Sequence, residues 1–299
     1  MSPRSPWLLA AITTLSVITL QAQTPDTITI RTTPVAGGVY LLQGSGGNIA
    51  ASTGPDGVIM VDDDYAPLTD RILAAVDQLH SGRLRFVINT HWHGDHTGGN
   101  GNLGGQGIMI VAHDNVRQRM SREQFIESFG AKVPPSPAVA LPVITFTDSL
   151  TFYLNNDTIQ IFHVAPAHTD GDAVIFFRHA NVIHMGDTYF NGLYPFIDYS
   201  TGGSLDGMIA AVDRGLGMAN DATRIIPGHG PLATRSDLHR YREMLAAVRI
   251  RILSARRKGL TLEQALDAHL IDDYNDAWGK GFLTPEQFFT IAWKSLAPR

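Results

Sequence analysis

Short apolar segments separated by turn residues predict two groups of β-strands. In these segments β-branched and aromatic residues alternate with polar ones or form short continuous runs, and both patterns are typical of strands. The segments before residue 120 are 27–31, 39–42, 48–51, 58–61, 85–90 and 108–111. The others lie between residues 143 and 185, and a last one follows at 223–226. Turns rich in glycine, proline and asparagine connect many of them, so each group is predicted to contain a meander.

Apolar residues that recur every three or four positions predict helices between and after these strands. The helical segments are residues 67–79, 113–120, 204–218, 237–258, 262–269 and 285–296. Ser204 is a typical N-cap, because its hydroxyl can accept a hydrogen bond from the first turn of the helix. Strand-rich and helical stretches occur twice along the chain. This order predicts an α/β fold of two similar halves packed as a sandwich.

One long connection, residues 125–142, shows neither the alternation of a strand nor the three- to four-residue spacing of a helix. It contains four prolines, and proline lacks the backbone donor that regular structure uses. Loops of this length are commonly flaps over a functional site or disordered segments. We expect a mobile wall that can close over a bound substrate, or else a disordered loop.

The overall composition is that of a globular protein, with 44% hydrophobic and 17% charged residues among 299. The net charge of −5 gives no basic field for nucleic acid, so we expect no nucleic-acid partner. The chain has no cysteine. Disulfides and thiolate ligands are therefore excluded, and any metal site must use histidine, aspartate, glutamate and water.

Residues 1–22 have the pattern of a secretory signal peptide. Arg4 precedes an uncharged apolar run from Trp7 to Leu20, and Ala22 supplies a small residue near the expected cleavage point. We therefore expect a periplasmic or secreted protein whose residues 23–299 form one catalytic domain, with a helical tail from about 236 to 299. No stable membrane insertion is expected after cleavage, and a retained membrane anchor is the alternative. The oligomeric state is left open.

The strongest local signal is the cluster His91-Trp92-His93-Gly94-Asp95-His96. It follows the strand predicted at 85–90 directly, and strand ends of α/β proteins commonly carry functional side chains. Imidazole and carboxylate groups are ligands that zinc prefers. A solvated histidine-rich loop is the alternative, but the cluster is internal and flanked by strand and turn signals. The pattern favours a metal site.

Three later positions share this setting, in which a ligand residue follows an apolar strand beside glycine or proline. They are His168, Asp187 and His229. Each alone is more often a turn residue. Together with the cluster they provide seven nitrogen or oxygen ligands, which is enough for two metal ions. Two metals about 3.5–4 Å apart would hold a hydroxide nucleophile and polarise a carbonyl or phosphoryl oxygen.

These residues resemble the signature of the metallo-β-lactamase superfamily, whose fold is a four-layer αββα sandwich. The resemblance extends to about residue 235, so extra C-terminal helices are expected beyond it. It implies two Zn²⁺ ions per chain. The first would be bound by His91, His93 and His168, and the second by Asp95, His96 and His229. Asp187 would bridge them, and Asp95 would also be catalytic by carrying a proton to the leaving group. Manganese or iron would suit the same donors.

Some residues have two interpretations. The triplet Asp62-Asp63-Asp64 at a strand end is most often a solvated turn, but Asp62 lies where family members keep an aspartate that orients ligands. Tyr189 and Tyr194 are candidates to polarise a substrate carbonyl, although aromatic packing is the commoner role. Structural or exposed roles are expected for the remaining histidines, which are His80, His113, His163, His179, His184, His239 and His269.

The resemblance implies a hydrolase of small molecules without fixing the substrate. The leading hypothesis is a zinc hydrolase in which a metal-bound hydroxide opens a cyclic amide, a β-lactam, outside the cytoplasm. Asp187 instead resembles the lactonase and thioesterase (glyoxalase II-like) branches, because classical β-lactamases have cysteine or serine there. The segment 187–205 also offers no lysine or arginine for a β-lactam carboxylate. A non-catalytic metal-binding accessory protein is the second alternative.

Overall fold

The computed structural model describes residues 28–79 and 82–296. The expected signal peptide, residues 1–22, lies outside these ranges, as do Thr27 and His80. The strands are β1 (Arg31–Ala36), β2 (Val39–Gln43), β3 (Ile49–Gly54), β4 (Gly57–Val61), β5 (Leu84–Ile88), β6 (Met109–His113), β7 (Gln124–Ile126), β8 (Ala131–Val133), β9 (Ile144–Phe146), β10 (Ser149–Leu154), β11 (Asp157–His163), β12 (Ala173–Phe177), β13 (Val182–His184), β14 (Arg224–Ile226) and β15 (Ala233–Thr234). The α-helices are α1 (Thr69–Leu79), α2 (Gly94–Thr97), α3 (Asn100–Gly105), α4 (Asp114–Met120), α5 (Leu205–Met218), α6 (Arg235–Arg257), α7 (Leu262–Asp267), α8 (Asp272–Trp278) and α9 (Pro285–Ser295).

Two mixed sheets form the centre of the fold. The first has the strand order β1-β2-β3-β4-β5-β6-β9, and the second has the order β10-β11-β12-β13-β14-β15. In the first sheet β1 to β4 form an antiparallel meander, whereas β4, β5, β6 and β9 run parallel. In the second sheet β13 and β14 are the parallel pair. The carboxyl ends of parallel strands lie at one edge, where loops can place functional side chains together.

Alternation of side chains along the strands produces the four layers. In β4, Ile59 and Val61 point into a core shared with β11 and β12 of the second sheet, whereas Val58 and Met60 pack against α1. The second sheet buries its other face against α5 and α6. The order helix, sheet, sheet, helix confirms the predicted αββα sandwich.

The C-terminal helices pack into the same core as α5 and α6. Phe288 of α9 is fully buried and stacks on Tyr194, with 4.3 Å between ring centroids. No helix within the described ranges has the length and hydropathy that a membrane span requires.

Several predicted elements differ from the structure. Residues 28–30 are not a strand, and β1 begins at Arg31. Strand β9, predicted within the second meander, joins the first sheet beside β6 instead. The segment 125–142 is not irregular throughout, because β7 and β8 form a hairpin whose turn ends at Gly130 with φ of 58°. These strands are three residues long, too short for a detectable period. Helices α2, α3 and α8 were not predicted.

Candidate metal centre

The predicted ligands come together at the edge where parallel strands end. His91, His93, Asp95 and His96 follow β5, and the last two lie in the single turn of α2. Asp187 follows β13 and His229 follows β14. His168 lies in the connection between β11 and β12. Parallel pairing of β13 with β14 therefore brings two distant parts of the chain to one place.

Two glycines make room for this convergence. A Cβ atom at Gly228 would lie 2.0 Å from Asp187 Oδ1, and one at Gly47 would lie 2.1 Å from the His96 ring. Real Cβ atoms do not approach so closely, so any side chain at either position would displace a predicted ligand.

The seven side chains form three overlapping groups whose nitrogen and oxygen atoms lie within 4.8 Å of one another. The groups are His91, His93 and His168; His91, His96 and Asp187; and Asp95, His96 and His229. Asp187 lies centrally, because its carboxylate oxygens are 3.0–3.9 Å from nitrogens of four histidines. Each group could hold a metal ion, and the central carboxylate contacts ligands from both expected sites.

Four histidines each direct one ring nitrogen into the cluster and bind the other to a fixed acceptor. Asp62 Oδ2 accepts from Thr90 Oγ1 (2.8 Å) and from His96 Nδ1 (2.8 Å). Since Thr90 donates its proton to Asp62, its oxygen must accept from His91 Nδ1, 3.0 Å away. The Nε2 atoms of His91 and His96 therefore carry no proton when the rings are neutral, which is the form that binds metals.

His93 and His168 are also held by one ring nitrogen while the other points into the cluster. His93 Nε2 donates to Asp198 Oδ2 at 3.1 Å, and His168 Nδ1 donates to the Phe196 carbonyl at 2.8 Å. This leaves His93 Nδ1 and His168 Nε2 facing each other at 2.8 Å. The buried Nε2 of His91 has no hydrogen-bond partner among the residues that the structure describes. Converging lone pairs and an unpartnered buried nitrogen are what a metal ion would satisfy, so these residues fit one.

Sequence reasoning missed Asp198. It is 1% exposed, and its carboxylate also accepts hydrogen bonds from Thr201 Oγ1 (2.7 Å) and Ser200 Oγ (2.5 Å). Although burial opposes ionisation, the bond from His93 and these hydroxyls hold the pKa of Asp198 at about 2. It lies in an irregular loop without a strand-end pattern, so no local pattern points to it.

The acidic triplet is not a solvated turn. Asp62, Asp63 and Asp64 are at most 1% exposed, and the first and third have positive φ angles of 64° and 56°. Non-glycine residues rarely adopt this conformation, and it occurs where surrounding contacts impose it. Asp63 Oδ1 accepts from Gly99 N at 2.9 Å, while Asp62 binds Thr90 and His96. The triplet thus fixes both ends of the loop that carries the first four ligands.

The charge states within the cluster differ from residue to residue. Burial and the neighbouring His96 hold the pKa of His91 well below its ordinary value, and burial lowers that of His168 to about 4. Burial opposes charge on Asp187 and His229 also, but His96 and His229 attract the Asp187 carboxylate, and Asp187 and Asp95 attract the His229 ring. The pKa of Asp187 is well below its usual range, and that of His229 is raised to about 9. Metal binding uses carboxylates and neutral imidazoles, so Asp187, His91 and His168 already have the form that binds a metal, whereas His229 would have to lose a proton first.

A cavity of about 620 Å³ opens onto the cluster. Its wall contains Asp95, Asp187, His93 and His229 together with apolar and aromatic side chains. Those are Tyr65, Trp92, Ile126, Phe129, Val133, Phe196 and Phe282. Among the described residues that line it there is no lysine or arginine.

Comparison with known proteins identifies the family. The model of the metallo-β-lactamase superfamily matches residues 39–233. The chain belongs to this superfamily. All seven predicted ligands, together with Asp62 and Asp198, lie within the matched range, whereas α6 to α9 lie beyond it.

Relatives within the superfamily differ in what their names describe. The α subunit of 2,4-dinitroanisole O-demethylase from Nocardioides sp. strain JS1661 is 24% identical over 238 residues, covering 79% of this chain and 68% of that protein. The type 2 metallo-β-lactamase of Bacteroides fragilis is 24% identical over 185 residues, or 58% and 68% of the two chains. The solved structure of a metallo-β-lactamase from Pontibacter korlensis superposes with a TM-score of 0.60 at 16% identity, covering 73% of this chain and 99% of that one. Membership in the superfamily therefore leaves the substrate open.

Neither tyrosine predicted to bind substrate reaches the cavity. Tyr189 is fully buried and packs on Tyr241, and Tyr194 is 1% exposed with its hydroxyl donating to Asn275 Oδ1 at 2.9 Å. This placement contradicts the expectation that either hydroxyl polarises a carbonyl. The phenol that does line the cavity is Tyr65, which directly follows the acidic triplet and was not predicted.

Proposed function

We propose that this superfamily member is a dinuclear zinc hydrolase that adds water to a carbonyl carbon of a small molecule and breaks the acyl C–N, C–O or C–S bond. The observation that carries this proposal is the convergence of seven metal-ligating side chains at the base of an open cavity. Structural zinc sites are closed and mostly use cysteine. A cysteine-free cluster that opens onto a cavity is better suited to catalysis, so we rank a non-catalytic accessory protein below an enzyme.

We assign His91, His93 and His168 to one metal and Asp95, His96 and His229 to the other, with Asp187 between them. Two zinc ions bound there would supply an acidified water and a Lewis acid for the substrate carbonyl. Manganese or iron would be compatible with the same nitrogen and oxygen donors. Zinc is our choice because of the resemblance of the ligand set to the zinc hydrolases of the superfamily.

The other residues position these groups and move protons. Asp62 fixes the rings of His91 and His96, and Asp198 fixes that of His93. Asp95 lines the cavity, and although burial opposes its ionisation, His96 and His229 hold its pKa at about 2. Its carboxylate can accept a proton from the attacking water and pass it to the leaving atom of the substrate.

We place the cyclic amide of a β-lactam first among substrates, supported by the Bacteroides fragilis relative and by the export that residues 1–22 predict. A lactone or another ester is the second candidate, with a thioester beside it. These ester and thioester substrates are favoured by the aspartate at position 187. They are also favoured because the described residues that line the cavity include no lysine or arginine to bind the carboxylate of a β-lactam.

Metal analysis combined with a substrate panel tests this proposal. Purified protein should contain close to two metal ions per chain and hydrolyse at least one of a β-lactam, a lactone and a thioester. His93→Ala and Asp95→Asn should each lower kcat at least about a hundredfold, with an unchanged circular dichroism spectrum. Full activity with less than one metal per chain, or in either variant, would refute the dinuclear assignment. Fractionation of expressing cells tests the export.

A further inference from the structure

Two exposed phenylalanines flank the metal cluster from segments that are far apart in the chain. Phe129 lies in the turn of the β7–β8 hairpin and is 49% exposed, and Phe282 lies between α8 and α9 and is 57% exposed. Both line the cavity. Exposing a large aromatic ring to water is unfavourable, and such residues grouped at one opening commonly mark a binding surface.

The two rings are associated with different parts of the cluster. Phe129 packs on Phe196 with 4.8 Å between centroids, and Phe196 contacts the rings of His93 and His168 at 5.7 and 5.6 Å. Phe282 lies 6.4 Å from the ring of His229. One aromatic surface therefore adjoins each expected metal group.

The segments that carry these rings are anchored. In the hairpin, Glu127 Oε1 accepts from Lys294 Nζ at 3.0 Å and from the Tyr199 hydroxyl at 3.2 Å. Beside Phe282, the Trp278 carbonyl accepts from Tyr194 N at 2.8 Å, and Leu283 is only 2% exposed. Phe282 is thus held outward by neighbours that are themselves fixed.

We propose that Phe129 and Phe282 form an aromatic clamp that selects substrates with an uncharged aryl, or similarly flat apolar, group beside the scissile carbonyl. This inference rests on the proposed function and names the substrate class of the same site. It also makes the C-terminal segment part of that site, since Phe282 lies beyond the range that the family model matches. A charged group would be disfavoured there, because it would lose water and find no lysine or arginine among the described lining residues.

The test compares substrates with an aryl side group and substrates with a charged side group. It makes this comparison once for a β-lactam and once for an ester. Benzylpenicillin carries a phenylacetyl group, and penicillin N carries a charged aminoadipoyl group on the same nucleus. Methyl phenylacetate and monomethyl succinate give the same contrast on an ester. For whichever bond the metal-loaded protein hydrolyses, kcat/KM should be at least about tenfold higher for the aryl member.

Phe129→Ala and Phe282→Ala should each lower the ratio of kcat/KM between the aryl and the charged substrate about three- to tenfold, mainly through a higher KM for the aryl substrate. Phe125→Ala is the matched control, because Phe125 lies in the same hairpin, is 50% exposed and does not line the cavity. Equal rates for the two side groups, or equal losses for both substrates in the variants, would overturn the clamp.

Binding of phenylacetamide, followed by saturation-transfer NMR, separates failure of the clamp from failure of the proposed function. The wild-type protein should bind it, and both alanine variants should bind it more weakly. If phenylacetamide binds in this way but no ester, lactam or thioester is hydrolysed, the clamp stands and the hydrolase proposal fails. If hydrolysis occurs and phenylacetamide does not bind, the clamp is refuted.

Discussion

At the scale of single residues, Asp62 connects the two expected metal groups through one buried carboxylate. Its Oδ2 binds His96 directly and His91 through Thr90, so one side chain sets the orientation of a ligand ring in each group. Its φ of 64° shows that the backbone is held in an unfavourable conformation at this point.

We predict that Asp62→Asn weakens zinc binding about 10- to 100-fold. Both carboxylate oxygens of Asp62 accept hydrogen bonds, Oδ1 from Thr90 N and Oδ2 from Thr90 Oγ1 and His96 Nδ1, whereas an amide has one acceptor oxygen and would turn its NH2 group towards a donor, so the imidazoles lose their fixed orientation. Competition with a chromophoric chelator measures the affinity. Asp77→Asn on the exposed face of α1 is the control and should bind zinc like the wild type. Equal affinities in the Asp62 variant and the control would remove Asp62 from the positioning role.

His113 has a structural role, as expected for histidines outside the ligand set. Its Nδ1 accepts from Asn115 N at 3.2 Å and caps α4, its Nε2 donates to the Thr147 carbonyl at 3.0 Å, and its ring stacks on His163 at 3.8 Å. Burial and the adjacent His163 hold the pKa of His113 below its ordinary value of 6.5, with Asp114 and Asp170 only partly opposing this. The folded state therefore resists a proton that the unfolded chain accepts.

The contribution of His113 to the free energy of unfolding should consequently decrease as the pH falls below about 6.5. His113→Asn keeps a capping side chain but removes the titrating ring, so it should lose less stability than the wild type between about pH 7.5 and 5.5. Urea unfolding at the two pH values measures this. The metal cluster is the same in both proteins, so its own pH dependence cancels. His239→Asn, at an exposed position of α6, should behave like the wild type.

At the scale of elements, the β7–β8 hairpin shows how a short, weakly patterned segment obtains a defined position. Its strands have three residues each, and an isolated two-stranded hairpin is only marginally stable in water. Contacts outside the hairpin therefore determine its place. They come from α9 through Lys294, from Tyr199 and Ser200, and from α4 through Arg119.

Lys294→Met should loosen the hairpin without unfolding the protein. The Lys294–Glu127 ion pair is half exposed, so it contributes little to the free energy of unfolding. Without it, we expect amide hydrogen exchange in residues 124–133 to increase about two- to fivefold. Lys132→Met removes the more exposed Lys132–Glu123 pair within the hairpin and should leave exchange unchanged. Equal increases in both variants would mean that α9 does not hold the hairpin.

At the scale of the whole molecule, the C-terminal helices are part of the sandwich's core and not an appended unit. Residues of α5, α6 and α9 belong to one buried cluster, which also contains Tyr194 and Phe196 from the loop beside the candidate metal centre. We therefore expect residues 23–299 to unfold as one domain, as the sequence predicts.

Phe288→Ala should lower the free energy of unfolding by about 3–5 kcal/mol, because it removes a fully buried ring stacked on Tyr194. Unfolding should remain a single transition, with tryptophan emission and far-ultraviolet circular dichroism giving the same midpoint. Phe282→Ala, in the same tail but 57% exposed, should cost about 1 kcal/mol or less. Two separate transitions in the wild type would show that the tail folds independently.

Prediction from sequence was most reliable where one local pattern decides the outcome. Ser204 caps α5 as expected, and the strand ending at Ile88 leads directly into the ligand cluster. It failed where burial depends on distant partners. The acidic triplet looks like a solvated turn until the loop 91–99 covers it, and Tyr194 looks available until α9 packs on it.

The sequence by itself determined the strand and helix pattern, the absence of thiol chemistry and the identity of the seven candidate ligands. These follow from residue type and short-range spacing, which fix local conformation and donor chemistry. Only the tertiary structure decided which of its two interpretations holds for Asp62, that Asp198 orients the ring of His93, that Tyr65 rather than Tyr189 or Tyr194 faces the cavity, and that Phe282 lines it. Those facts depend on which side chains meet across the sheets and layers. Such contacts join residues that are far apart in the chain, so a short stretch of sequence does not show which side chains become buried.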